Sequence, residues 1–160
     1  MSQEAFAYAA DIRPAFLAHM ANRLDRIICK QTKDLLDEAA LIAPITCLSI
    51  IVFLKKHGSG TIADIAKVDG QSHQLIQSRT NPLEKLGLIE STIDAIDSRC
   101  RILRLTKQGN REAVKIEEIS RQVAGDLVAM NSVLGADLMS LLEKAEQYLI
   151  RNPLSIAGGV

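Results

Sequence analysis

The stretch that most narrows what this chain can fold into runs from Thr61 to Gly87. Thr61 stands where a helix cap should. Asp64 sits three residues on, in capping-box position, as a shorter substitute for the usual Glu. Ile62, Ile65 and Ala66 then supply one apolar face of a short helix. Asp69 and Gly70 read as a turn. Ser72 caps a further helix over "HQLIQSRTNPLEKLG", which Gly87 stops. A short helix, a tight turn with glycine and a second helix that begins with polar side chains make the helix-turn-helix pattern.

What surrounds this pattern extends it. Leu88 to Thr92 reads as a strand, the Asp94 stretch as a turn, and Arg101 to Leu105 as a returning strand with Ile102, Leu103 and Leu105 apolar. Upstream, Pro14 can open a long helix to about Glu38 whose stripe includes Leu17, Met20, Leu24, Ile27, Ile28 and Leu35. "APITCLSIIVFLKKHG" follows, with Pro44 placed for a first helical turn and Gly58 just past the end. Lys55, Lys56 and His57 lie in its last turn, where the helix dipole favours cations. This helix is apolar nearly all round, so it should be central. From Thr106 the chain is helical to about Leu134, with a weak point at Gly125. Asp137 is placed to cap a last helix striped by Leu138, Leu141, Leu142, Ala145 and Leu149.

The predicted fold is therefore mainly α with a small β-hairpin wing. A winged helix-turn-helix core over residues 44–106 lies inside one domain of residues 1–160. The outer helices, 1–40 and 107–151, carry apolar stripes suited to packing between two subunits, and 152–160 is a tail.

Composition excludes several alternatives. The chain of 160 residues is 48% apolar, enough for a real core, but only 3% aromatic and without Trp. That scarcity argues against a single-stranded nucleic acid binder, which stacks bases on aromatic faces. Net charge is zero, yet Lys55 to Lys115 holds eleven Lys/Arg against seven Asp/Glu, a local +4 that suggests an anionic partner for the middle of the chain. No apolar run reaches the about 18 residues that span a bilayer. The N-terminus has no basic start followed by an apolar segment, so no secretory leader is expected. Three cysteines, Cys29, Cys47 and Cys100, without a CxxC spacing fit a reducing cytoplasm. There is no phosphate loop, nucleophile motif, paired-carboxylate site or metal spacing, so no catalytic residue, cofactor or metal site is expected.

The run from Thr61 to Ile116 resembles the winged-helix core of the MarR family of transcriptional regulators. The markers are "LEKLGLI" at Leu83 to Ile89, the Asp97-Ser98-Arg99 triplet, and "LRLTKQG" at Leu103 to Gly109. The resemblance implies a homodimer on a pseudo-palindromic duplex, with the second helix of each helix-turn-helix in the major groove and each wing tip in the minor groove. It also implies, for many members, release by a small, often aromatic, acid. Two positions depart from the family. Arg79 stands where an apolar residue is usual, and Pro82 where proline is not. Proline inside a helix removes one hydrogen bond and costs ~3 kcal/mol or a kink, so a bend near Ser78 is expected.

On that frame, Ser72, His73, Gln74, Gln77 and Ser78 are expected to face duplex DNA from the first turns of the second helix, since Gln can bond adenine twice and Ser or His can reach base edges or phosphates. The alternative is a solvated polar face. Arg79 either adds a phosphate or guanine contact or bonds within the protein. Arg99 fits the narrow, most negative minor groove. Arg101 is expected at the interface or, paired with Asp97, as a brace for the wing. Thr61 can aim backbone N–H groups at a phosphate, or cap alone. Cys47 and Cys29 are expected to pack, and Cys100 to be exposed beside two arginines that favour thiolate. His19 and Arg23, four apart, either face an effector's carboxylate or lie on plain helix surface. A winged-helix protein-interaction module without DNA binding is the competing reading of the whole.

Overall fold

The computed structural model describes residues 5–93 and 100–154. The chain forms two compact units, residues 1–119 and 120–160. The first begins with 3-10 turns at Ala7–Ala9 and Arg13–Phe16, the second with Pro14 near its start and leading into α1 (Leu17–Glu38). Then come α2 (Leu48–His57), β1 (Gly60–Thr61), α3 (Ile62–Asp69), α4 (His73–Lys85), β2 (Ile89–Ile93), β3 (Arg101–Leu105) and the start of α5 (Lys107–Leu134). The second unit holds the rest of α5 and α6 (Leu138–Arg151), which Asp137 caps by accepting from the Met139 N–H.

Local chemistry sets most of these boundaries. Gly58, Gly70 and Gly87 follow α2, α3 and α4 with φ of 76°, 62° and 67°, values that suit a residue without Cβ just past a helix end. Pro44, expected inside the first turn of α2, instead lies before it in extended backbone. A 3-10 turn at Ile45–Cys47 intervenes, and the α-helix begins at Leu48. α4 is continuous from His73 to Lys85 across Pro82, so the proline does not end the helix. Thr80 and Leu83, on either side of the proline, are buried, so packing holds the helix where one hydrogen bond is missing. Gly125 likewise interrupts nothing in α5.

The core is aliphatic. Ile50, Ile51 and Leu54 make α2 the central helix, packed with Ile65 of α3, Ile76 and Leu83 of α4, Leu88, Leu103, and Ala113 and Ile116 of α5. The first turns of α5, assigned from sequence to subunit packing alone, thus also close the core. The sheet is antiparallel in the order β1-β3-β2, with three strands rather than the expected two. β1 pairs only Gly60 with Leu103 and Thr61 with Ile102, whereas β2 pairs with β3 from Ile89↔Leu105 to Ile93↔Arg101. A two-residue strand has no alternation to read, which is why it is silent in sequence.

The loop between α1 and α2 is held from α5. The Glu112 carboxylate accepts from the Ala43 N–H at 3.1 Å and the Ile42 N–H at 3.4 Å. Removing it in Glu112→Ala strands two donors, and a loss of about 1–2 kcal/mol in urea unfolding is expected.

Candidate functional site

Three segments singled out in the sequence converge in space. Thr61, Ile62 and Ala63 at the start of α3, His73 and Gln77 of α4, and Cys100 and Arg101 at the start of β3 line one shallow cavity of about 290 Å³. Folding brings them together because the α3–turn–α4 pair stacks on the sheet through Ile65, Ile76 and Leu103.

At the α3 end the capping box is complete. Thr61 Oγ accepts from the Asp64 N–H at 3.2 Å, and an Asp64 carboxylate oxygen accepts from the Thr61 N–H at 2.9 Å and its hydroxyl at 2.8 Å. The Thr61 backbone N–H first, and its hydroxyl second, hold the Asp64 carboxyl below the usual carboxylate range. The Thr61 N–H is thus committed to the Asp64 carboxylate, and Thr61 is the cap of α3. Because the folded pKa is depressed, this contribution is complete above the ordinary Asp value of about 4 and is lost as pH falls through the lower folded value. Thr61→Ala is expected to cost about 1 kcal/mol at pH 7 and measurably less at pH 3, read from urea unfolding at both.

Along α4 the predicted residues separate into two groups. Ser72 caps the helix, its hydroxyl accepting from the Leu75 N–H at 3.2 Å. His73 and Gln74 stand exposed in the first turn, without a side-chain hydrogen bond among the described residues. Gln77 is half-buried and donates to Asn81 at 2.9 Å. Ser78 is exposed, but its hydroxyl donates back to the Leu75 carbonyl at 2.7 Å. Arg79 is half-buried on the side of α4 that meets Cys47, whose thiol donates to the Arg79 carbonyl at 3.3 Å. Burial pushes the Cys47 thiol up, and the Thr46 hydroxyl first and the Arg79 charge second partly offset this.

The wing is held from within the protein. Arg101 does not project freely: one terminal nitrogen donates to Glu84 of α4 at 3.0 Å and also to the Ser91 hydroxyl of β2. Neither Glu84 nor Ser91 was singled out in the sequence, since no local pattern marks a contact 17 residues away. Asp97 and Arg99 lie outside the described residues. Cys100, expected to be exposed, is half-buried where β3 begins. Cys29, expected to pack, is also half-buried, and its thiol donates to Asp25 at 3.5 Å. Burial first and this bond second raise its pKa.

His19 and Arg23 both lie exposed on α1. His19 meets the Phe6 ring edge-on at 5.9 Å, and Arg23 points to the Met20 sulfur at 3.8 Å. The nearby cavity, about 370 Å³, is lined by Phe6, Ala10, Arg13, Pro14, Leu17 and Met20, so Arg13 supplies its cation and neither His19 nor Arg23 does. Among the described residues no group of three or more His, Cys, Asp or Glu could hold a metal ion. No single helix there is long and apolar enough to cross a membrane.

Solved structures share this architecture. Overoxidized AbfR bound to DNA matches with a TM-score of 0.68 at 18% identity, over 89% of this chain and 96% of that one. The MepR–DNA complex of S. aureus matches at 0.67 and 19%, over 80% and 96%. The MarR family transcriptional regulator SPO1453 from Silicibacter pomeroyi DSS-3 matches at 0.63 and 18%, over 84% and 95%. At these identities what is shared is the fold. No protein-family model and no curated protein sequence matches the chain.

Proposed function

We propose that this chain, which carries the fold of MarR family regulators, is a homodimeric, sequence-specific binder of duplex DNA that regulates transcription. The observation that carries the reading is the first turn of α4. His73 and Gln74 stand exposed with no side-chain hydrogen bond among the described residues, in the helix whose counterpart in this fold enters the major groove. The local excess of positive charge between Lys55 and Lys115 supports it. Gln74 is the residue suited to read a base edge, and His73, Ser72 and Gln77 flank it. Arg99 is assigned to the minor groove on its place in the sequence.

Selection of bound sequences from random duplexes tests this. The expected result is an inverted repeat whose half-site centres lie about 10 base pairs or a multiple apart, bound more weakly as salt rises. Gln74→Ala is expected to lose about tenfold at one base position and to keep its salt slope. Arg99→Ala is expected to weaken all sequences and flatten the slope by about one counterion. If no duplex is enriched over random, the reading fails and the protein-interaction module takes its place.

The cavity lined by Phe6, Leu17, Met20 and Arg13 suits a small acidic effector, with apolar walls and one guanidinium. A salicylate-sized acid is expected to raise Tm in the wild type and not in Arg13→Met. Equal shifts in both would remove the cavity from consideration.

A further inference from the structure

We infer that Arg101 is a positioning residue, not a DNA contact: it locks the wing to the last turns of α4 through Glu84 and Ser91. This rests on the proposed function, because it concerns how two DNA-reading elements are held at one spacing. The lock itself is a property of the protein alone.

The sheet register shows why such a lock is needed. β1 pairs with β3 only at Leu103 and Ile102. At Arg101 the sheet has narrowed to β2 and β3, with Ile93 directly opposite and 70% exposed. A two-stranded ribbon is marginally stable alone, and here it carries the segment expected to reach the minor groove. Side chains two apart share a face of a strand. Arg101 opposes Ile93 and Leu103 opposes Ser91, so Arg101 and Ser91 are diagonal neighbours on one face. The guanidinium crosses that diagonal to Ser91 and continues to the Glu84 carboxylate at 3.0 Å. Three elements, α4, β2 and β3, therefore meet at one nitrogen.

Exposure argues that the pair serves geometry more than stability. The Arg101 side chain is 49% exposed and that of Glu84 26%, and ion pairs this open to water add little to folding. A guanidinium is well made for the task, since its planar fork directs each donor. The Glu84 carboxylate also argues against direct phosphate contact, because it already neutralises the charge a phosphate would seek.

The test compares wild type, Arg101→Met and the charge-swapped double variant Arg101→Glu with Glu84→Arg. Hydrogen exchange of the Ser91 to Ile93 and Arg101 to Ile102 amides is measured without DNA. Affinity for the selected duplex is measured across a salt series. A lock predicts that Arg101→Met speeds wing exchange about tenfold while α2 amides keep wild-type protection. It also predicts about tenfold weaker binding at an unchanged salt slope, and recovery of both by the swap. If instead Arg101 neutralises a phosphate, Arg101→Met flattens the slope by about 0.9, leaves wing exchange at wild-type rates, and the swap binds worse still. Either unchanged wing exchange or a flattened slope in Arg101→Met overturns the proposal. If the wild type binds no duplex, the proposed function fails, and the exchange measurements still decide the lock.

Discussion

Gly109→Ala is expected to be among the most destabilising single substitutions in this chain, costing more than about 3 kcal/mol of a total that for domains of this size is on the order of 5–15 kcal/mol. A Cβ at position 109 would lie 1.9 Å from the Leu88 carbonyl oxygen and 2.8 Å from its carbon. Both are main-chain atoms, so no rotamer change relieves the clash. Leu88 cannot retreat cheaply. Its side chain is fully buried, its N–H donates to the Leu83 carbonyl at 2.9 Å, and its carbonyl accepts from the Thr106 N–H at 3.0 Å. Gly109 cannot retreat cheaply either, because its N–H donates to Thr106 Oγ at 3.0 Å, and that hydroxyl donates to the Gly87 carbonyl at 2.6 Å. The one knot thus fixes the end of α4, the start of β2 and the first turn of α5, and a methyl group there forces all three apart. Urea unfolding followed by circular dichroism should show the midpoint collapse, or no folded baseline at all. Gly125→Ala is the matched control. It sits inside the same helix with nothing within 4 Å of its Cβ position, so it should gain about 0.5–1 kcal/mol from helix propensity. Equal effects at the two glycines would show that propensity governs both and that the close approach at Leu88 is tolerated.

The contrast between those glycines shows what sequence can and cannot reveal. Caps, stops and stripes are local, and they were legible: Thr61 with Asp64, Ser72, Asp137, and the glycines after α2, α3 and α4 all stand where their chemistry places them. Gly109, by contrast, closes the "LRLTKQG" marker, but nothing near it in sequence says what it must touch. Its meaning comes from Leu88, 21 positions earlier in number and in contact only once the chain has folded. The same holds for the site. That α4 opens with polar residues was readable, and so was the wing. That Gln77 would turn to Asn81, Ser78 to the Leu75 carbonyl and the Cys47 thiol to the Arg79 carbonyl was not, because each depends on which side of α4 faces the core. Pro82 is a further case: the missing hydrogen bond is visible in the sequence, whereas the burial of Thr80 and Leu83 around it is not.

The second large effect concerns assembly. Leu142→Glu is expected to turn a dimer into a monomer and to weaken duplex binding by 100-fold or more. The reasoning starts from α6. It is a helix of 14 residues without one buried residue, and Leu141 and Leu142 are each 50% exposed, with Leu149 at 43% and Tyr148 at 65%. An apolar stripe of that kind on a well-capped helix is stable in water only at a cost that a second copy would remove. A two-fold interface uses the same surface twice, so one substitution deletes two leucines and introduces two carboxylates. Burying a leucine contributes about 1.5–3 kcal/mol, and two together make about 3 kcal/mol or more, which is roughly 100-fold in a dimer dissociation constant. Losing the dimer also turns two linked half-site contacts into one, so the inverted repeat should be bound no better than a single half-site. Sedimentation velocity over a concentration series gives the mass, and anisotropy with full and half-site duplexes gives the binding. A wild type that sediments as a monomer at tens of micromolar would sink the dimer. A Leu142→Glu protein that stays dimeric would move the interface off α6, to the apolar residues Leu17, Met20 and Ile27 that α1 also leaves exposed.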